Sequence, residues 1–223
     1  AKARGANLDQ PLNLARVARD LGARFVYYST DYIFDGIAGP YDETAATNPL
    51  SVYGQAKLEA EQALASLLGD ALLIARTSWV FGPERQGKNF AYQLVKTLKA
   101  GKPLTVPADQ ISSPSYGPDV AEASVRLVEA GKSGVYHVVG PEVVSRIDFV
   151  RAFARAFDLD PAMIDGKTTP ELGQGAPRPL DGGLLAPKLT RDLPGVMRAL
   201  DESLRDFRAK VASGDVWADP LGA

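Results

Sequence analysis

A short apolar run that ends abruptly in polar residues limits the fold of this chain more than any other feature. Residues 24–28 (Arg-Phe-Val-Tyr-Tyr) are followed directly by Ser29, Thr30, Asp31 and Tyr32. The run is rich in β-branched and aromatic residues, as is usual for a buried strand of a parallel sheet. Ligands of open α/β sheets bind beyond the carboxyl ends of such strands. The pattern therefore predicts a parallel sheet with these polar side chains at its ligand-binding edge.

Helical and strand-like segments alternate around this run. The spacing of apolar residues predicts a helix before it, ended by Gly22, then a helix over 51–68 and a buried strand over 71–78. This rhythm indicates an α/β fold with a Rossmann-like, doubly wound parallel sheet. Later segments are assigned in the same way: helices over 89–100, 119–130 and 145–157, strands over 103–107 and 135–139, a Gly- and Pro-rich loop over 166–188 and a final helix within 189–211.

Two regions are expected along the chain. Residues 1–140 are predicted to form part of a Rossmann-like dinucleotide-binding domain, and residues 141–223 mainly a smaller substrate-binding region. We expect the two regions to interleave, because the strand over 135–139 is predicted to rejoin the first sheet.

Composition excludes several classes of protein. The 223 residues are 45% apolar, carry a net charge of −2 and contain no cysteine. The content of apolar residues suffices for a sizeable core. The charge gives no general attraction to nucleic acid or anionic membranes, and the absence of cysteine suits a cytoplasmic protein. The single histidine, His137, lies in an apolar run and is expected to be packed, so no metal site is predicted.

Tyr53 and Lys57 are the candidate catalytic pair. Their spacing places both on one face of the predicted helix over 51–68. A nearby ammonium favours the phenolate form and would bring the phenol closer to useful acid–base chemistry. Spacing alone favours an ordinary exposed helix, because a Tyr and a Lys four residues apart occur often by chance.

The wider pattern resembles the extended short-chain dehydrogenase/reductases, and within them the dTDP-4-dehydrorhamnose reductase family. The resemblance covers nearly the whole chain in order, and the stretch 29–36 (Ser-Thr-Asp-Tyr-Ile-Phe-Asp-Gly) is its most specific part. The other matching stretches are 49–61, 75–82, 88–90, 109–114 and 178–179.

The resemblance implies a reaction and a set of catalytic residues. Hydride would pass from NADPH (or NADH) to C4 of a nucleotide-linked 4-keto-6-deoxy sugar, as in dTDP-L-rhamnose biosynthesis, while Tyr53 donates a proton to the oxygen. Lys57 would hold the nicotinamide ribose and lower the pKa of Tyr53, and Thr30 would bind the substrate oxygen. Ser78, at the end of the next strand, would contact the cofactor. A homodimer is a further expectation from the family.

The substrate pocket is expected to be lined by polar and aromatic residues. Asp31 and Tyr32 would face the sugar, although Asp31 fits equally well as the first residue of a turn. Trp79 offers a flat face to a ring, with packing in the core as the alternative. Residues at polar positions where the family binds the diphosphate are Asn89, Gln110 and Arg178. Arg178 suits a diphosphate because its fork donates to two oxygens, while a solvated loop arginine is the alternative.

Departures from the family pattern leave other hypotheses open. The Gly-rich turn that binds the dinucleotide pyrophosphate is not found in the sequence, so we expect the chain to correspond to the carboxyl-terminal two-thirds or so of a family member. A non-catalytic nucleotide-binding or regulatory subunit is therefore one alternative. A nucleotide-sugar epimerase or dehydratase is another, but Tyr32 stands where a dehydratase would carry Glu. Residues 82–89 resemble a phosphate-binding P-loop. Asn89 stands where that motif needs a Ser or Thr to bind Mg²⁺, so the segment does not predict an NTPase.

Overall fold

The computed structural model describes residues 4–84, 89–173 and 175–213. The strands are β1 (Phe25–Thr30), β2 (Leu72–Thr77), β3 (Val80–Phe81), β4 (Leu104–Pro107), β5 (Ile111–Ser112), β6 (Ser115–Tyr116), β7 (Gly134–His137), β8 (Val144–Ser145) and β9 (Ile164–Lys167). The helices are α1 (Gln10–Asp20), α2 (Val52–Leu68), α3 (Phe90–Lys99), α4 (Gly117–Glu129), α5 (Arg146–Ala156), α6 (Pro187–Asp192) and α7 (Leu200–Ser213). None of these helices is long and apolar enough to cross a bilayer.

The central sheet has the parallel arrangement that the sequence predicts. β2 lies between β1 and β7, and both pairings are parallel. Thr30 at the end of β1 is paired with Thr77 at the end of β2, so the carboxyl ends of these strands meet at one edge. The prediction that the strand near 135–139 rejoins the first sheet is confirmed by β7. The fold class is therefore α/β with a Rossmann-like parallel sheet.

Helix α2 is fixed at the sheet edge by its first turn. The Ser51 hydroxyl accepts a hydrogen bond from the Gly54 N–H at 3.1 Å, an N-cap that satisfies one of the free amides of the helix start. Gly54 is also needed for packing, since a Cβ there would lie 2.1 Å from the Tyr32 carbonyl oxygen. This close approach sets the distance between the start of α2 and the turn that follows β1.

A second core lies beside the sheet and is formed by segments from both sides of residue 140. Its buried side chains include Phe81, Tyr92 and Tyr116 from the first part and Phe149 and Phe207 from the second. The boundary near residue 140 stays a prediction, but the two parts of the chain share this core.

The structure corrects two assignments in the last third of the chain. Part of the predicted loop over 166–188 belongs to β9, which begins at Ile164 and pairs in parallel with β4. Its burial pattern is one buried residue followed by three exposed ones, so no periodicity marked it as a strand. The single helix predicted within 189–211 is two helices, α6 and α7. Pro194 cannot continue α6, and Gly195 adopts a positive φ of 74°.

A buried ion pair joins α2 to the middle strand of the sheet. The Arg76 guanidinium donates to Glu61 at 3.1 Å through Nε and at 2.7 Å through Nη2. The two side chains are only 7% and 5% exposed. Loss of one partner would therefore leave a buried charge without compensation.

We expect Glu61→Ala to lower the free energy of unfolding by about 3–5 kcal/mol, the usual effect of removing one partner of a buried pair. Glu122→Ala is the matched control, because Glu122 pairs with Arg126 on the exposed face of α4 at 3.4 Å. That change is expected to have an effect of about 1 kcal/mol or less. Urea denaturation of both variants measures the two changes in the free energy of unfolding. Equal changes would show that the buried pair stabilises the fold no more than the exposed pair does.

Gly54→Ala is expected to destabilise the protein by about 1–3 kcal/mol through overpacking against Tyr32, although Ala is the better helix former. Gly5→Ala provides the control, since a Cβ at Gly5 meets nothing within 4 Å. Thermal unfolding should show a lower Tm for Gly54→Ala and an unchanged or slightly higher Tm for Gly5→Ala. A stabilised Gly54→Ala variant would contradict the close contact.

Candidate active site

A buried carboxylate organises the carboxyl edge of the sheet. Asp31 begins a 3₁₀ turn (Asp31–Ile33) directly after β1 and is only 4% exposed. Its Oδ1 accepts a hydrogen bond from the Thr30 hydroxyl at 3.0 Å. Its Oδ2 accepts bonds from the hydroxyls of Ser78 at 2.8 Å and Ser112 at 3.1 Å. The Ser78 and Ser112 hydroxyls are also bonded to each other.

This network changes the interpretation of several predicted residues. Burial raises the pKa of Asp31, and the hydroxyl bonds from Ser78, Thr30 and Ser112 lower it in part. Its oxygens are enclosed by those donors, which favours the turn interpretation of Asp31 over direct contact with a sugar. Ser78 is buried as well, and its hydroxyl is bonded within the same network. Both ligand contacts stay predictions.

Tyr53 lies in the first turn of α2, opposite the turn after β1. It is 38% exposed, and its ring meets the Tyr32 ring edge to face at 5.8 Å. Burial raises the pKa of Tyr53, and the charges of Asp31 and Tyr32 raise it further, while hydrogen bonding by Thr30 lowers it. The phenol is therefore neutral at pH 7 and carries a proton that it can donate.

Lys57 lies one helical turn further along α2. Its Nζ donates to the Tyr28 carbonyl oxygen at 2.8 Å and lies 4.6 Å from the centre of the Tyr27 ring. Burial lowers the pKa of Lys57, and the charge of Glu61 opposes that shift. Burial determines the direction of the Tyr53 pKa shift, and the expected lowering of that pKa by Lys57 stays a prediction.

Tyr53 opens onto a cavity of about 500 Å³. Arg178 lines the same cavity and donates through Nη1 to the Tyr32 hydroxyl at 3.4 Å. The predicted residues Tyr32, Tyr53 and Arg178 therefore line one cavity. Its remaining lining residues are Leu50, Ser51, Val52, Gly175, Ala176 and Pro177. A larger cavity of about 900 Å³ lies near α6 and contains none of the predicted site residues.

Two of the predicted diphosphate ligands have structural partners. Asn89 caps α3 by accepting a hydrogen bond from the Tyr92 N–H, and its Nδ2 donates to the Gly82 carbonyl at 3.0 Å. Residues 85–88, the middle of the P-loop-like segment, lie outside the described ranges. Gln110 is buried, and its Nε2 donates to the Thr169 hydroxyl at 3.0 Å. Neither residue lines the cavity at Tyr53, and their contact with substrate stays a prediction.

Arg146 contacts the predicted site residue Trp79, and the sequence did not reveal this contact. Its guanidinium lies 4.2 Å from the centre of the Trp79 ring and 4.5 Å from that of Phe90. Burial lowers the pKa of Arg146 to about 10, the charges of Tyr32 and Asp31 oppose that shift, and the charge of Arg178 adds to it. The sequence showed only a helix start at Ser145, because nothing local connects Arg146 with Trp79. One face of Trp79 is thus in contact with Arg146.

His137 is packed and hydrogen-bonded as predicted. It is fully buried, and its Nδ1 lies 2.8 Å from the Leu185 carbonyl oxygen. Burial lowers its pKa to about 4, so the ring is neutral at pH 7. Within the described ranges, no group of three or more His, Asp or Glu side chains is arranged to hold a metal ion.

Comparison with curated proteins identifies reductases of nucleotide sugars. The chain is 36% identical over 167 residues to dTDP-4-keto-6-deoxy-D-glucose reductase of Streptomyces niveus, an alignment that covers 74% of this chain and 57% of that protein. It is 37% identical over 185 residues to dTDP-4-dehydrorhamnose reductase of Mycobacterium tuberculosis, covering 80% of this chain and 60% of that protein. The matches therefore span less than two-thirds of the length of these relatives.

The fold is shared with a solved structure and with a family model. The crystal structure of dTDP-4-dehydrorhamnose reductase from Bacillus anthracis, in complex with NADP, superimposes with a TM-score of 0.84 at 29% identity. The superposition covers 92% of this chain and 72% of that one. The family model described as RmlD substrate binding domain matches residues 1–213. As the resemblance to extended short-chain dehydrogenase/reductases predicted, the chain belongs to the RmlD substrate-binding-domain family.

Proposed function

We propose that this chain is part of an NADPH-dependent oxidoreductase that reduces the C4 keto group of a nucleotide-linked 4-keto-6-deoxy sugar, as in dTDP-L-rhamnose biosynthesis. The observation that carries the proposal is the position of Tyr53, which lies beside Thr30 at the sheet edge and opens onto the cavity that Arg178 also lines. The relatives that bear reductase names support the same reaction. A cytoplasmic location and a homodimer stay predictions from the sequence.

The described residues fit the nicotinamide end of a dinucleotide. The bound cofactor would supply the hydride. Lys57 is a half-buried ammonium whose one hydrogen-bonded acceptor in the described ranges is the Tyr28 carbonyl, which leaves it two further donors. Those donors suit the hydroxyls of a ribose, and the phenol of Tyr53 lies on the same helix one turn away. NADP in the complex of the Bacillus anthracis relative favours NADPH over NADH.

Tyr53 is the proposed proton donor. Because burial keeps its phenol protonated at pH 7, the phenol can bind a carbonyl oxygen and transfer its proton as negative charge develops on that oxygen. The Thr30 hydroxyl stands next to the phenol and is oriented by Asp31. To bind a substrate carbonyl oxygen beside Tyr53, this hydroxyl would turn its single proton from Asp31 to that oxygen. The ammonium of Lys57 would offset the charge left on the phenolate.

Arg178, which lines the same cavity as Tyr53, is the proposed diphosphate ligand. Its guanidinium is exposed, and its contact with the Tyr32 hydroxyl is long at 3.4 Å, so its other donors can be directed towards an anion. A nucleotide sugar placed with its diphosphate at Arg178 would direct its sugar towards Tyr53. The partner implied by this arrangement is therefore a small nucleotide-sugar substrate.

We expect Tyr53→Phe to reduce kcat by about 100- to 10,000-fold, the usual contribution of a positioned proton donor. The fold should be retained, because the substitution removes only a partly exposed hydroxyl. Steady-state reduction of a dTDP-4-keto-6-deoxy sugar by the protein that carries this chain gives the rate, and circular dichroism gives the fold. Tyr136→Phe is the control, since the Tyr136 hydroxyl is bonded to Asp192 away from the cavity. Near-normal turnover by Tyr53→Phe would refute the proton donor.

Arg178→Ala should act mainly on binding. Loss of charge-assisted hydrogen bonds to a diphosphate is expected to raise KM by about 10- to 100-fold, with a smaller change in kcat. Arg205→Ala on α7 removes an exposed charge outside the cavity and should leave both constants unchanged. An unaltered KM in Arg178→Ala would exclude Arg178 as the diphosphate ligand.

A further inference from the structure

Arg146 is held at the site by its backbone and by two aromatic rings. It is the first residue of α5, after the N-cap Ser145, and its N–H donates to the Gln110 carbonyl at 2.7 Å. The guanidinium carbon lies 4.2 Å from the centre of the Trp79 ring and 4.5 Å from that of Phe90. Two rings at this distance restrict the guanidinium to a narrow range of positions.

The charge of Arg146 has no counter-ion within residues 4–84, 89–173 and 175–213. No carboxylate of that part of the chain forms an ion pair with it, and no side-chain hydrogen bond satisfies its guanidinium. The side chain is nevertheless partly withdrawn from solvent. Partial burial of an unpaired cation is unfavourable, and contact with aromatic faces offsets only part of that cost. An anionic ligand would supply the missing partner.

Arg146 lies near enough to Arg178 for the two charges to interact. The charge of Arg178 acts on Arg146, as do the charges of Tyr32 and Asp31. Tyr32 and Arg178 both line the cavity at Tyr53. Two neighbouring cations repel each other, and an anion bound between Arg146 and Arg178 would replace this repulsion by attraction.

We propose that Arg146 is a substrate-binding residue that grips the diphosphate of a nucleoside diphosphate sugar together with Arg178, an assignment that rests on the proposed function. A diphosphate suits the pair because it spreads its oxygens over two phosphorus atoms, and each guanidinium fork can donate to two of them. Trp79 and Phe90 are positioning residues that hold the Arg146 guanidinium in place. The Trp79 face that contacts Arg146 is then not available as a platform for the sugar ring.

Two binding measurements test the proposal. Calorimetric titration of the protein with dTDP gives the affinity for dTDP, and competition of thymidine against bound dTDP gives the affinity for thymidine. Arg146→Gln is expected to weaken binding of dTDP by about 10- to 100-fold and to leave binding of thymidine nearly unchanged, because only the diphosphate contacts the arginine. Arg155→Gln is the matched control, since Arg155 is exposed on the same helix. Arg146→Lys should restore only part of the affinity, because an ammonium lacks the fork.

A double-mutant cycle tests the positioning role of Trp79. Trp79→Leu should weaken binding of dTDP in the wild-type background and have little further effect in the Arg146→Gln background. Equal losses in both backgrounds would mean that Trp79 acts independently of Arg146. Thermal unfolding of each variant shows that it is folded.

The outcomes separate this inference from the proposed function. Unchanged dTDP binding by Arg146→Gln, or an equal loss for dTDP and thymidine, overturns the role of Arg146 and leaves the reductase proposal intact. Absence of dTDP binding by the unmodified protein overturns both. Diphosphate-selective loss in a protein that reduces no 4-keto nucleotide sugar supports Arg146 and refutes the reductase proposal.

Discussion

The arrangement of polar side chains at the carboxyl edge of the sheet depends on the buried carboxylate of Asp31. A carboxylate this far from solvent requires donors, and it takes them from the end of β1, from the residue after β2 and from β5. Those three positions are thereby fixed relative to one another. The Thr30 hydroxyl is oriented by the same network, so the geometry offered to a substrate oxygen depends on a group that itself has little access to the cavity.

Local patterns in the sequence predicted much of the fold and the centre of the site. The apolar run before Ser29 predicted β1, and the helical spacing after Ser51 predicted α2. Tyr53 and Lys57 share one helix, so their proximity needed no tertiary information. The polar residues after β1 were placed at the ligand edge because parallel strands end together, which the pairing of Thr30 with Thr77 confirms.

The remaining features depend on contacts between distant parts of the chain. Arg146 is notable because it contacts the rings of Trp79 and Phe90. Ser112 is notable because its hydroxyl donates to Asp31. No spacing rule links these residues. The raised pKa of Tyr53 depends on packing in the same way, since helical spacing predicts the nearby ammonium of Lys57 but not the burial of the phenol. Burial and contacts between distant residues are properties of the packed structure. Residue type and spacing determine them only weakly.

The aromatic core beside the sheet has a consequence for the order of assembly. Phe207, near the end of the described chain, is fully buried, and its ring lies within 6.0 Å of those of Tyr92, Phe153 and Phe157. Such non-local contacts close late, since the intervening chain must first be ordered. During synthesis the central sheet can therefore form while α7 is still inside the ribosome. Trp79 and Phe90, the two rings that contact Arg146, pack against that core, so docking of α7 also supports the position of the Arg146 guanidinium.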